Sequence, residues 1–568
     1  MTSSPQVVSV AVEEAEDPVA RFDAIVIGAG LAGLYQLRSL LQAGFTVRCF
    51  EEAAGVGGVW YWSRYPGCAF DSPSETYGYS FSEELIQEWD WTHYYSFQPD
   101  AERYLNFVAD KFGLRSHIQL DSRVTAATWD DDAHLWEVEL EDGGRARASI
   151  LIGMVGQFSA GFTPQVEGAE RFKGESYHPS RWPRQDPDLD GKRVAVIGTG
   201  ATAIQLIPHV ARVCRQLTVF QRTPNYALPA DNGPVDPQVQ QEWKANHAEI
   251  HRHVRQGFGI RVTPDPRNGR DVPAAERLAL YERAWKRRGF EKFMVLFHDL
   301  LTDRELLAEY SEFLRGKIRD RVKDPALADK LVPKDHLFQA KRVPLESGYY
   351  ETFERENVLL VDVRETPIVC LTENGIRTTD REHEFDVIIY ATGFDTATGA
   401  FKRLDIRGVQ GRSLGDVWEQ SGVSAYLGFA SSGFPNFFQH VMSGLCSAAT
   451  ICVEWLADWI TACLQHMREN GYTRIEPARE AEAAWSERMA VIGSNAIFGD
   501  AQYSWYNGSN VPGKRRQLLL VPMPGPAWRD ECYAVSANGY EGFDLRGGAD
   551  RTDDDDTHLA SAAAGRLV

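Results

Sequence analysis

Two glycine-rich turns constrain the fold of this chain more than any other feature. The first contains Gly28, Gly30 and Gly33, and the second begins with Gly198 and Gly200 and has Ala203 at the third position. Each turn follows a short apolar run that predicts a strand and precedes a run that predicts a helix. In this context the first glycine permits a tight turn, and the second lets the backbone approach a pyrophosphate at a helix N-terminus. The sequence therefore predicts an α/β protein with two Rossmann-like dinucleotide-binding domains.

The strands that follow the two turns end in different residues, which indicates that the two turns bind different dinucleotides. The strand at 46–50 ends at Glu51, the position of an acid that holds ribose hydroxyls. The strand at 217–220 ends without an acid and continues into Arg222 and Thr223. An arginine there can pair with a 2′-phosphate, so the second domain is predicted to bind NADPH in preference to NADH. The alternative is that Arg222 is a solvent-facing residue at the end of its strand.

Two loops outside the nucleotide signatures carry candidate functional side chains. The loop at 57–71 combines glycines with Trp60 and Trp62 and ends at Asp71, so it can wrap a flat ring system. The alternative is a surface Ω-loop with packed aromatic residues. Lys341 and Arg342 lie between two prolines, which predicts an extended or loop segment.

Composition excludes several classes of function. The 568 residues carry a net charge of −20, which argues against nucleic acid as a partner. The chain lacks an apolar run of about 18 residues, so we predict no membrane span. The 8 cysteines are scattered and the first 20 residues do not resemble a signal peptide, which favours a reducing cytoplasm. His247 and His251 have a metal-ligand spacing, but no third ligand is evident nearby, so we interpret them as a solvated helix face and predict no metal site.

The order of the predicted elements indicates one domain inserted into another. Residues 1–20 are predicted to be a disordered extension, and residues 546–568 a disordered acidic tail. Residues 21–160 and 392–545 are predicted to form the first dinucleotide-binding domain. Residues 161–391 are predicted to form the NADP-binding domain, with a charged helical insertion at about 235–330.

Three longer motifs carry a resemblance to a known family. They are FxGxxxHxxxWP (Phe172, Gly174, His178, Trp182, Pro183), GGxWxxxxYPGxxxD at 57–71 and SWYxGxNxPGK at 504–514. Together with the two glycine turns, they resemble the type I Baeyer–Villiger monooxygenases, which are flavoproteins. The resemblance implies FAD, NADP(H) and O2, and conversion of a ketone to an ester or lactone through a peroxide on the flavin C4a. One alternative is a flavin-containing monooxygenase that oxygenates nitrogen or sulfur; another is a nucleotide-binding regulator without enzymatic activity.

The resemblance also implies roles for individual residues. The catalytic residues would be Arg342 and Asp71, the second of which orients the first. Segment 172–183 would be a linker that couples domain movement to catalysis. The implied FAD contacts are Gly28, Gly30, Gly33, Glu51, Val59, Trp60, Trp62, Asp71, Tyr77 and Val124. The implied NADP contacts are Thr199, Gly200, Thr202, Gln205, Arg222, Thr223, Lys341 and Trp505.

The chain departs from the family pattern in two places. Ala69 stands where many relatives have arginine, and the segment after Asn436 is several residues shorter than usual. Because that segment borders the substrate pocket in the family, the ketone cannot be read from the sequence. The oligomeric state is equally open.

Overall fold

The computed structural model describes residues 19–445 and 448–547. Its strands are β1 (Ala20–Ile27), β2 (Val47–Phe50), β3 (Ile118–Gln119), β4 (Val124–Asp130), β5 (Leu135–Leu140), β6 (Arg145–Gly153), β7 (Glu175–Tyr177), β8 (Arg193–Ile197), β9 (Gln216–Gln221), β10 (Leu228–Pro229), β11 (Leu345–Glu346), β12 (Val358–Asp362), β13 (Ile368–Thr372), β14 (Gly375–Thr378), β15 (Glu382–Glu384), β16 (Val387–Tyr390), β17 (Asp405–Arg407), β18 (Phe437–Gln439), β19 (Ser443–Leu445), β20 (Tyr472–Pro477), β21 (Leu520–Pro524) and β22 (Phe543–Gly547).

The helices fall between these strands. They are α1 (Leu31–Gln42), α2 (Val59–Trp62), α3 (Ser74–Tyr77), α4 (Glu83–Glu88), α5 (Gln98–Lys111), α6 (Ala201–Val213), α7 (Pro237–Ala245), α8 (His247–Arg255), α9 (Ala274–Trp285), α10 (Glu291–Met294), α11 (Arg304–Arg321), α12 (Pro325–Leu331), α13 (Tyr349–Thr352), α14 (Thr398–Phe401), α15 (Leu414–Ser421), α16 (Ala449–Glu469), α17 (Arg479–Ser494) and α18 (Gly525–Ala537).

Two sheets with parallel strands organise the molecule. The larger has the order β17-β4-β5-β6-β1-β2-β3, with β18 pairing to β6, and the second has the order β12-β9-β8-β16-β7. Every strand of the second sheet comes from the chain between β6 and β17. The predicted α/β fold, with one Rossmann-like unit inserted in the other and a helical insertion from α7 to α12, is confirmed.

The exact domain boundaries stay predictions. Most of the predicted disordered ends, residues 1–18 and 548–568, lie outside the described residues. At the edges, β1 already begins at Ala20 and β22 extends to Gly547, so strand structure reaches slightly into both predicted segments. In the described part of the chain, no helix is long and apolar enough to cross a membrane.

One local prediction is wrong. The interpretation of α8 as a solvated face fails for His251, which is buried, because α8 packs against α3 and its Val254 joins an apolar cluster with Ala448 and Ile451. Burial lowers the pKa of His251 to about 4. Within the described residues, no group of three or more His, Cys, Asp or Glu side chains is arranged to hold a metal ion.

Candidate active site

A cavity of about 590 Å³ lies where the larger sheet, the helical insertion, the segment with Arg342 and the late loop meet. Much of its wall is apolar, including Phe290, Phe293 and Phe297 of the insertion. The cavity brings together many residues that the sequence had singled out. They are Gly28, Gly30, Glu51, Val59, Trp62, Val124, Arg342 and Trp505.

The first glycine turn is built so that only glycine fits. Gly28 has φ of +100°, and a Cβ there would lie 2.6 Å from the carbonyl oxygen of Met154. A Cβ on Gly33 would lie 1.8 Å from the carbonyl oxygen of Gly28. Gly30 precedes α1 without a side-chain cap, so the first N–H groups of that helix are left for a ligand. This geometry suits a pyrophosphate.

Glu51 lies beside this turn in a buried position. Its carboxylate accepts hydrogen bonds from the backbone N–H groups of Ala29 at 2.6 Å and Ala53 at 2.9 Å. Burial raises the pKa of Glu51, and the two N–H donors offset part of that rise. The acid is therefore fixed next to the glycine turn, where a ribose would sit.

The predicted aromatic contacts divide into two groups. Trp62 faces the cavity, and the Arg181 guanidinium lies 3.8 Å from the centre of its ring. Trp60 and Tyr77 belong to a buried layer instead, in which the Trp60 indole N–H donates to the Tyr77 hydroxyl at 2.7 Å. Tyr77 also stacks on Phe70 with ring centres 3.9 Å apart. These two residues support the cavity wall, and Trp62 forms part of its surface.

Arg342 lines the cavity and forms an ion pair with Asp71, although the two lie far apart in sequence. Arg342 Nη2 is 3.3 Å from Asp71 Oδ2, and Asp71 Oδ1 accepts from the backbone N–H of Leu345 at 3.1 Å. Burial raises the pKa of Asp71, while Arg342 and the Leu345 N–H offset part of the rise. Asn225 Nδ2 donates to the Arg342 carbonyl oxygen at 2.9 Å, which holds the backbone of the arginine in place.

The second glycine turn has an open approach. Gly200 precedes α6 without a side-chain cap, and a Cβ there would meet open space. The Thr199 hydroxyl donates to the Thr223 carbonyl oxygen at 2.9 Å. Tyr65 contacts both Thr202 and Gln205, and donates to Gln205 Oε1 at 2.9 Å. The geometry of the α6 N-terminus therefore also suits a phosphate group.

A cluster of positive charge lies near the second turn. Burial, opposed by the charge of Asp335 and assisted by those of Arg222 and Arg364, lowers the pKa of Lys341 to about 8. Arg222 is exposed, with its guanidinium 4.0 Å from the centre of the Tyr503 ring. Arg364 was missed in the sequence. It follows β12, which pairs in parallel with β9, so the arginines after both strands reach the same sheet edge.

The linker motif contacts both nucleotide units: its β7 pairs with β16 in the second sheet, and other residues of the motif pack against the first unit. His178 hydrogen bonds to the Ser180 hydroxyl at 2.7 Å, and its ring meets the edge of Phe394 at 5.9 Å. Trp182 is buried, and its backbone N–H donates to the Trp62 carbonyl oxygen at 3.1 Å. Burial lowers the pKa of His178. Phe172 packs beside Gly174, while Pro183 is half-buried after Trp182.

The late loop is tied to the end of β16. Lys514 Nζ lies 2.5 Å from Asp395 Oδ1, and Asn510 Nδ2 donates to the Phe394 carbonyl oxygen at 2.8 Å. The Thr396 hydroxyl donates to the Trp505 carbonyl oxygen at 3.2 Å. These bonds hold half-buried Trp505 at the cavity, where it can shield the interior from water.

Comparison with known proteins agrees with this geometry. A family model described as flavin-binding monooxygenase-like matches residues 22–233. The chain is 41% identical to the 2-oxo-Delta(3)-4,5,5-trimethylcyclopentenylacetyl-CoA monooxygenase of Pseudomonas putida, over 92% of this chain and 98% of that protein. It is 38% identical to a Baeyer–Villiger monooxygenase of Pseudooceanicola batsensis, over 92% of this chain and 96% of that protein. The chain belongs to the Baeyer–Villiger monooxygenases.

A solved structure has the same architecture. The crystal structure of the OTEMO complex with FAD and NADP is 42% identical to this chain, with a TM-score of 0.88 over 92% of this chain and 99% of that one. The resemblance drawn from the three sequence motifs is therefore confirmed. The residue roles that it implies stay predictions.

Proposed function

We propose that this protein uses FAD, NADPH and O2 to insert one oxygen atom beside the carbonyl of a ketone, giving an ester or a lactone. The observation that carries the proposal is the Arg342–Asp71 pair, 3.3 Å apart, at the cavity that begins at the first glycine turn. A fixed guanidinium in a largely apolar cavity is suited to stabilise negative charge that develops on an oxygen.

The residues of the cavity fit FAD. The uncapped N-terminus of α1 and the glycine backbone at Gly28 and Gly30 would take the pyrophosphate, and Glu51 would hold the ribose. Val59 and Trp62 would border the flavin ring system, and Val124 would lie further along the wall. When bound, FAD would supply the redox chemistry that passes electrons from NADPH to O2.

The second glycine turn fits NADPH. Thr199, Gly200 and Thr202 surround the uncapped α6 N-terminus, which favours a pyrophosphate. Arg222 and Lys341, with Arg364 beside them, form a positive cluster that suits a 2′-phosphate. This charge supports NADPH over NADH as the reductant.

Arg342 would act on the reacting oxygen atoms, and Asp71 would position it. The guanidinium would hold positive charge where the ketone oxygen becomes negative during attack. Asp71 is held by the Leu345 N–H through one carboxylate oxygen and would hold the guanidinium through the other. Trp505 and the phenylalanines of the insertion would exclude water, which strengthens this electrostatic contact.

A ketone panel tests the proposal. Purified protein with NADPH is offered linear, cyclic and aromatic ketones, and products are analysed by mass spectrometry for one added oxygen atom. We expect an ester or lactone from at least one ketone. An enzyme restricted to nitrogen or sulfur oxygenation would give only N-oxides or sulfoxides, and a regulator would show no NADPH-dependent O2 uptake above the slow reaction of free flavin.

The location of the enzyme in the cell is part of the same proposal. Within the described residues, six cysteines are free thiols, which supports a reducing compartment such as the cytoplasm: Cys49, Cys68, Cys214, Cys370, Cys463 and Cys532. Fractionation of the source cells, with activity followed in each fraction, tests this.

A further inference from the structure

Tyr503 is a half-buried aromatic residue to which the proposed function assigns no role. It directly precedes the late loop at 504–514, and it lies two residues before Trp505. The guanidinium carbon of Arg222 lies over its ring, 4.0 Å from the ring centre. This contact joins the base of the late loop to the arginine that is proposed to bind the 2′-phosphate of NADPH.

An aromatic ring can restrain an arginine without occupying its hydrogen-bond donors. A guanidinium group is planar, so its N–H groups point outward in the plane while its face can stack on a ring. A carboxylate would restrain the group as well, but it would compete with a phosphate for the same N–H groups. Arg222 contacts Tyr503, and among the described residues it has no carboxylate partner.

The neighbouring arginine of the positive cluster is bound differently. Arg364 Nη2 donates to Asp362 Oδ2 at 2.7 Å, and Arg364 Nε donates to Asp362 Oδ1 at 3.1 Å. Its donors are therefore shared with a carboxylate of its own strand end. Of these two arginines, Arg222 is the one whose donors are available for a phosphate.

Hydrogen bonds fix the backbone on both sides of Tyr503. The Ala501 carbonyl oxygen accepts from Asn507 Nδ2 at 3.0 Å. The Ser504 N–H donates to the Ser509 hydroxyl at 3.0 Å. Because the residues around Tyr503 are held in this way, its ring is preorganised, and it limits the conformational freedom that Arg222 would otherwise lose when it binds a phosphate.

We propose that Tyr503 helps the enzyme to distinguish NADPH from NADH, because its ring holds the Arg222 guanidinium in the orientation that binds the 2′-phosphate. This inference rests on the proposed function and adds a residue to its nucleotide site. Tyr503 acts through Arg222, so it is a positioning residue and does not touch the reacting atoms. NADH lacks the 2′-phosphate and gains nothing from the contact.

Nucleotide binding to the FAD-loaded enzyme tests the inference. The dissociation constants of NADP+ and NAD+ are measured by calorimetry for the wild-type protein, Tyr503→Leu and Tyr503→Phe. In Tyr503→Leu we expect NADP+ to bind about fivefold more weakly and NAD+ to change less than about twofold, as loss of one cation–π contact dictates. Tyr503→Phe keeps the aromatic ring and should bind both nucleotides as the wild-type protein does.

A double-mutant cycle shows whether Tyr503 acts through Arg222. In the Arg222→Leu background, Tyr503→Leu should change NADP+ binding less than about twofold, since the guanidinium that the ring restrains is already absent. Tyr533→Leu is the matched control, because Tyr533 is an exposed tyrosine of α18. It should leave both dissociation constants unchanged.

Three results would overturn the role of Tyr503. The first is an equal loss of NADP+ and NAD+ binding in Tyr503→Leu, because the residue would then serve only the structure of the loop. The second is NADP+ binding by Tyr503→Leu within about twofold of the wild-type value, and the third is the full loss recurring in the Arg222→Leu background. A wild-type protein that binds FAD but no NADP+ would instead contradict the proposed function, and this inference would fail with it.

Discussion

Replacing Arg342 with alanine tests the central claim about the cavity. A fixed donor to a developing oxyanion contributes roughly 3–4 kcal/mol when water is excluded. The Arg342 side chain is 31% exposed and its Asp71 partner 12%, so part of this contribution is screened and the lower end of the range applies. About 3 kcal/mol corresponds to a loss of about 100-fold in the rate of ester formation.

The assay separates the two halves of the reaction. In Arg342→Ala, NADPH should still bleach the flavin absorbance, because the nucleotide contacts at the two glycine turns remain. Ester formation, followed by gas chromatography, should fall about 100-fold while NADPH oxidation continues. Arg377→Ala is the matched control, since Arg377 is an exposed arginine that pairs with Glu382 on the small sheet of β13–β15. Ester formation by Arg342→Ala within about threefold of the wild-type rate would refute the role given to this arginine.

Four further predictions follow from the same geometry. Asp71→Asn should lower ester formation about fivefold, since loss of a partly buried pairing costs about 1 kcal/mol. Burial raises the pKa of Asp71, and its role in positioning Arg342 requires the ionised carboxylate. As pH decreases, wild-type activity should therefore begin to fall at a higher pH than it would with an ordinary carboxyl. Asp71→Asn should flatten this acidic limb of the pH profile. Arg222→Glu should raise KM for NADPH at least about 10-fold and leave KM for NADH nearly unchanged, as measured by steady-state kinetics. Gly28→Ala should lower the melting temperature, because its Cβ would lie 2.6 Å from a backbone oxygen. The Cβ of Gly200→Ala would meet open space, so this variant should keep its melting temperature and weaken only NADPH binding, as measured by calorimetry. Burial lowers the pKa of His440 from about 6.5 in the unfolded chain to about 4 in the folded protein, so the stability that the neutral ring contributes is lost as pH falls from about 6.5 to 4. In urea titrations between pH 7 and 5, the unfolding free energy of the wild-type protein should therefore decrease by about 2 kcal/mol more than that of His440→Leu.

The sequence predicted those parts of the site that depend on local backbone geometry. A strand, a glycine turn and a helix follow one another in the chain, so Gly28 and Glu51 could be assigned from residues that are near in sequence or in adjacent parallel strands. The pairing of Arg342 with Asp71 has no such local signal, and came only from the family resemblance. The structure brings them together because Leu345, at the start of β11, hydrogen bonds to the loop that ends at Asp71.

Two cavity or nucleotide-site residues escaped prediction for a different reason. Arg364 could have been predicted only from the strand that lies next to β9. That strand is β12: its last residue, Asp362, pairs with Gln221, the last residue of β9, so Arg364 and Arg222 follow the ends of neighbouring strands. His440 depends on β18, a strand of three residues that is too short to show a periodic pattern. Its pairing with β6 sets Gln439 beside Gly153, which carries the imidazole to the cavity. The position of each residue depends on which strands pair in the sheet, and local sequence patterns do not show that pairing.

The departure at Ala69 shows how the two nucleotide units are joined in this chain. Gln205 of α6 donates from Nε2 to the Ala69 carbonyl oxygen at 3.0 Å and accepts from the Tyr65 hydroxyl at 2.9 Å. The backbone of the 57–71 loop, and not the side chain at position 69, therefore makes this contact. Asp71 lies two residues further along the same loop. One short segment therefore holds both α6, which would bind the NADP pyrophosphate, and the carboxylate that pairs with Arg342. Because the contact uses the Ala69 carbonyl oxygen, the loss of an arginine side chain at this position leaves the connection intact.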